Sequence, residues 1–166
     1  MRNRIFRFAT YAGVGIATGL IVAGVVVLAE KVLLETVLHR SLWQQACAPA
    51  LGLWIAVLVL RRADGGDPLS PSTSEEYIRA YHNKSYLLKV LHLPFRLIAG
   101  IASVGLGGAA GLEGPAIYAG ATTGSAIQRR LSWLFRDKDG QALLVAGAAA
   151  GVSAIFQAPA TGCLLY

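Results

Sequence analysis

The segment Gly111-Leu112-Glu113-Gly114-Pro115 places a lone carboxylate inside the longest apolar region of the chain. Pro115 suits the first turn of a helix, where its missing N–H costs no hydrogen bond. Gly111 and Gly114 let the backbone bend and come close to something small. The spacing therefore predicts a break, with a new helix starting near Pro115. A helix N-terminus exposes unpaired N–H groups and carries partial positive charge, so it is a ready anion site. Irregular backbone at membrane depth is tolerated where it is packed in protein or lines a cavity. Broken helices aimed at an ion are a recurring transporter device. An ionised carboxylate in hydrocarbon is costly. At such a terminus Glu113 is itself the anion. It can occupy the place of a permeating anion or leave it on protonation, which makes it a candidate gate. The plainer reading is an interfacial cap, the usual role of a single Glu at a helix start.

The elements that must position this segment follow from composition. Of 166 residues, 55% are hydrophobic and 14% are charged, against about a quarter charged in soluble domains. Mean hydropathy is +0.54. This is the composition of an integral membrane protein, and 19 glycines fit close helix packing in lipid. The net charge of +6 comes from short basic clusters that flank apolar runs. That pattern belongs to membrane topology rather than to nucleic-acid binding. The two cysteines, Cys47 and Cys163, lie in apolar stretches with no CxxC or Cys/His cluster, and are expected to be buried free thiols. His39, His82 and His92 are too scattered for a metal site, and no cofactor is expected.

The chain reads as one all-α, polytopic membrane domain over residues 1–166. Spans are expected at about 8–38, 42–60, 86–112, 115–134 and 142–166. The apolar run from Phe8 to Ala29 exceeds the about 20 residues a spanning helix needs. Residues 61–85 read as a polar loop followed by a short helix, capped by Ser72, Thr73 or Ser74, with Glu75 and Glu76 in its first turn. Arg2, Arg4 and Arg7 precede the first span, and Arg61 and Arg62 follow the second. The positive-inside rule then puts the N-terminus in the cytoplasm. The glycine pairs 15/19, 107/111, 120/124 and 147/151 read as helix-packing motifs. The last apolar run continues to Tyr166 with no polar anchor, so a fragment is expected. Short loops and the lack of a targeting peptide favour a plasma (inner) membrane.

These residues resemble a known family. Gly111–Pro115 is similar to the GxEGP signature of the CLC chloride channels and chloride/proton antiporters. Downstream, GAAAGVSAIFQAP (147–159) resembles that family's second signature, and LPFRLIAGIASVGLGGAA before Gly111 resembles the helix leading into its gate. The likeness is clear from Leu93 to Gly162, weaker from Ser72 to His92, and rests on hydropathy before that. It implies an all-α fold of two inverted repeats with broken, re-entrant helices, of which this chain covers most of the first. It implies a homodimer with one pore per subunit, carrying chloride or another small anion, with protons in the antiporters. By position, Glu113 matches the external gating glutamate. Amides around Gly111, Leu112, Gly114 and Pro115 match the anion sites. Phe156, Gln157 and Pro159 fall in the second signature, near the inner pore. Two departures stand out. The Gly-Ser-Gly-Ile-Pro loop of the family falls on residues 71–75, where Ser72, Thr73 or Ser74 would supply the hydroxyl, and Gln157 replaces an Asn. The intracellular proton glutamate falls past Tyr166, so both channel and antiporter remain open.

Other function classes are a non-conducting scaffold or degenerate half-protein, and an intramembrane enzyme. The enzyme reading would rest on Ser125, but no His follows it in the chain. The expectation is therefore not an enzyme.

Overall fold

The computed structural model describes residues 2–63, 73–83, 88–131, 141–158, 160 and 162, with side chains for all of these except 2–4 and 74. Among them the fold is all-α, with no strand. Helix α1 (Arg2–Val26) continues through a π-helical stretch, Val27–Leu34, into α2 (Glu35–Leu38). Then come α3 (Leu42–Ala63), α4 (Thr73–His82), α5 (Leu93–Gly105), α6 (Glu113–Arg130) and α7 (Ala142–Phe156). Among the described residues, two helices are long and apolar enough to cross a membrane, Ile5–Leu38 and Leu42–Ala63. Both turn large apolar side chains outward, among them Phe8, Leu20, Leu51 and Trp54. An outward apolar face of this kind suits lipid, where every backbone polar group is already paired within the helix.

The inner helices pack through glycine. On α6 and α7, a side chain at Gly120 would collide with the Gly147 carbonyl, one at Gly124 with Leu143, and one at Gly151 with Ala116. Successive contacts four residues apart on each helix define an antiparallel pair in backbone-to-backbone contact. Here the glycine spacing does what it was expected to do. Helix α1 lies across this pair, burying Val14 against Leu143. The other glycine pairs behave differently. Gly15 and Gly19 meet nothing within 4 Å. Gly107 and Gly111 do not share a helix at all.

Gly107 explains why α5 is shorter than expected. The apolar run read as helical to residue 112 stops at Gly105. Gly107 adopts φ +86°, its N–H bonds the Val104 carbonyl at 2.9 Å, and the Gly108 N–H bonds Ser103 at 2.8 Å. These are the two bonds of a Schellman stop, whose left-handed residue is usually Gly because it has no Cβ to clash. The break before Glu113 is therefore a built loop of backbone, not a kink in one long helix.

The last span is likewise broken. The run expected to remain helical from 142 to 166 leaves α7 at Gln157, which sits at φ 51°, ψ 30°. The Ala158 N–H bonds back to Ser153 at 3.1 Å. Gly162 lies against Ser153 and Ala149, so the chain doubles back along α7. A non-glycine residue in the left-handed region costs roughly 1–2 kcal/mol. Gln157→Gly is therefore expected to raise stability by about 1 kcal/mol, read as a higher unfolding midpoint in detergent. An unchanged or lower midpoint would show that the Gln side chain contributes more than its backbone costs.

Cys47 corrects a further expectation. It is a free thiol, as read, but it is exposed on the outer face of α3 rather than buried. A thiol behaves as a small hydrophobe, so a face suited to lipid accommodates it without burial in protein. Cys163 lies outside the described residues.

Candidate functional site

Helix α6 begins at Glu113, so Glu113, Gly114 and Pro115 are its first three residues. The first N–H groups of a helix have no partner within it, and Pro115 contributes none. Glu113 and Gly114 supply the open donors. The N-cap residue, Leu112, makes no side-chain capping bond. Leu112 fastens it from behind: its side chain is 7% exposed and packs with Val25 and Ala29 of the first long helix, with Ile155 of α7 beside them. The Leu112 carbonyl accepts the first helical bond, from Ala116, at 3.0 Å. The break is thus held by one buried apolar anchor, while its amide end stays open.

In front of that end is a cavity of about 380 Å³. One wall is apolar, built from α3 by Leu53, Ala56 and Val57. The rest of the lining comes from three helix starts. Gly111, Gly114 and Pro115 bring the N-terminus of α6, Thr73 brings the first residue of α4, and Arg96 lies in the first turn of α5. Gly100 and Ser103 continue the α5 face. Two glycines make the closeness possible. The Thr73 hydroxyl occupies the space that a side chain on Gly114 would need, and Pro115 Cγ approaches within 3.1 Å of where a Gly100 Cβ would stand. Among the described residues, the first turn of α6, Thr73 and Arg96 line one hollow whose surface is otherwise largely apolar, and no carboxylate lines it. Donors of these kinds stabilise an anion.

Glu113 stands at the rim. It is exposed, it does not line the cavity, and its carboxylate folds back over Gly111, with Oε2 3.0 Å from where a Gly111 Cβ would lie. Gly111 therefore makes room for the carboxylate just as Gly114 makes room for Thr73. Of the three hydroxyl candidates, Thr73 reaches the cavity. Ser72 lies outside the described residues, as does the side chain of Ser74. Leu112 offers its backbone position but turns its side chain away. In the second signature, Ile155 brings the end of α7 to the level of Leu112. Phe156 is 54% exposed, and neither it nor Gln157 lines the cavity. Pro159 lies outside the described residues. Among the described residues, no cluster of His, Cys, Asp or Glu could hold a metal.

The sequence reading missed one group. Arg96 interrupts an apolar stretch and passes for an interfacial charge, yet it is 5% exposed. Its Nη2 donates to Glu76 Oε1 at 2.6 Å, and its guanidinium lies 4.7 Å from the centre of the Tyr118 ring. The Tyr118 hydroxyl in turn donates to the Lys89 carbonyl at 3.3 Å. The available signal was a charge two residues after Pro94, well inside the apolar run.

Comparison with known proteins finds similarity at the level of sequence. The family model described as voltage gated chloride channel matches residues 51–166. Curated relatives include proteins named H(+)/Cl(-) exchange transporter ClcA from Citrobacter koseri, Salmonella arizonae and Salmonella newport. Each is 40% identical over 75 residues, a stretch covering 43% of this chain and 15% of the relative. No solved structure matches.

Proposed function

The chain belongs to the voltage gated chloride channel family, and from that premise we propose that it builds part of a pathway carrying chloride or another small anion across a membrane. The observation that carries this reading is the cavity itself, where the open end of α6, the Thr73 hydroxyl and Arg96 converge. Glu113, at the rim and folded over Gly111, acts as the external gate. When ionised it competes with the anion for the positive end of α6, and when protonated it withdraws. The exchanger names of the relatives support coupling to protons. Thr73 stands in for the serine of the family's first signature. The chain does transport rather than enzyme chemistry. It sits in a plasma (inner) membrane with its N-terminus in the cytoplasm, and it works as a homodimer.

The test is flux from proteoliposomes containing the complete protein, loaded with chloride and read by a chloride electrode. Thr73→Val keeps the shape of the side chain and removes its hydroxyl. It should weaken anion binding by a factor of roughly 10, the worth of one hydrogen bond to a charged group of about 1.5 kcal/mol. Binding equal to that of the parent would remove Thr73 from the site. A parent protein that moves no anion would sink the transport reading and leave a scaffold.

A further inference from the structure

Arg96 is in the wrong place for an ordinary arginine. A cation in the first turn of a helix opposes the partial positive charge there, and this one is buried, at 5% exposed. It neither favours α5 nor snorkels to an interface. What it does is join helices. From α5 it ion-pairs with Glu76 on α4, whose side chain is 6% exposed, and covers the Tyr118 ring on α6. Those two partner helices are the ones whose first turns, Thr73 and Gly114, meet at the cavity wall. Thr73 and Glu76 stand three positions apart on α4, hence on one side of it. Rotation or sliding of α4 that stretched the Glu76–Arg96 bond would carry the Thr73 hydroxyl away from Gly114. An apolar contact would tolerate that slip. A directional, charge-assisted hydrogen bond resists it. The pair is neutral as a whole, so its main effect is on geometry rather than on the net field.

We infer that Glu76 and Arg96 are a positioning pair for anion discrimination: they hold the first turn of α4 against that of α6, and so fix the spacing of the donors that face the cavity. This rests on the anion-carrying reading above. Selectivity among anions depends on donor spacing, since a site built to one spacing leaves donors unmatched around another anion.

The experiment compares chloride and nitrate flux in proteoliposomes of the complete protein. Replacing a buried ion pair by apolar residues of similar volume is often neutral for stability, so the double variant Glu76→Met with Arg96→Met keeps the packing and removes the directional bond. Its chloride-to-nitrate ratio should change roughly tenfold, the equivalent of about 1.4 kcal/mol of differential binding. Glu76→Asp keeps both charges but shortens the reach, and should move the ratio in the same direction by a smaller factor. A ratio equal to the parent's in both variants overturns the inference and leaves the transport reading standing. If the double variant elutes as aggregate, Glu76→Asp decides alone, and an unchanged ratio there overturns the inference. A parent that carries neither anion overturns both.

Discussion

Replacing Glu113 with alanine should abolish the response of anion flux to external pH, together with any coupled proton movement. The carboxylate is the first residue of α6 and lies over Gly111, beside the N–H groups that an anion would use. A charged side chain there is held by the same partial positive charge that attracts the substrate. On the proposed reading the two compete, and protonation ends the competition. For a switch that turns on one proton, the parent's rate should change by up to about tenfold per pH unit on the limb where that proton controls it. In Glu113→Ala the limb should be flat. Glu113→Gln, which keeps the side-chain volume but cannot ionise, should be flat as well. A Glu113→Ala profile that follows the parent's would show that another group senses the proton, and Glu113 would then be a simple helix-end residue.

The second large effect concerns the glycines of the inner helix pair. Gly120→Ala adds one methyl group, and that methyl collides with the backbone carbonyl of Gly147 rather than with a side chain that could turn aside. The helices must move apart along their whole contact, which loosens the Ala116–Gly151 and Gly124–Leu143 approaches as well. Overpacking of this kind costs about 1–3 kcal/mol and sometimes more, and here about 3 kcal/mol is expected because backbone cannot repack. Since α6 carries Glu113 and Gly114 at its start, anion flux should fall with the folded fraction. Gly15→Ala and Gly19→Ala form the contrast. They share the same spacing, but nothing lies within 4 Å of either, so their unfolding midpoints should stay close to the parent's. Equal losses in both pairs would mean that the first helix is also closely packed through its glycines.

Much of this was legible in the residues alone. The membrane character, the two long apolar helices, the break at Gly111–Pro115 and the family resemblance all come from local pattern. Apolar run length, charge at run ends and glycine–proline punctuation act within a few residues of one another, and a helix start is a local event. That is why α6 begins within two residues of where Pro115 led one to expect it. The Gly120/Gly124 and Gly147/Gly151 spacing also reads correctly, because a glycine stripe offers contact wherever a partner exists. It could not say which stripe finds one, and Gly15/Gly19 and Gly107/Gly111 do not pair in that way.

What only the tertiary structure decided depends on partners distant in sequence. Arg96 looks interfacial until Glu76, 20 positions away, and the Tyr118 ring are beside it, because burying a charge is tolerable only with a partner, and hydropathy does not name partners. Thr73 and its two serine neighbours are equivalent in sequence; that the Thr73 hydroxyl fills the space left by Gly114 is visible only in the packing. The ends of α5 and α7 were misjudged for a related reason: apolar composition continues through Gly107 and Gln157, while the left-handed backbone at each stops the helix. Hydropathy records what surrounds a segment, whereas direction, register and pairing are settled by which surfaces pack together. The sequence alone therefore determined that a carboxylate would stand at a helix start in a membrane, and packing decided which residues would line the cavity beside it.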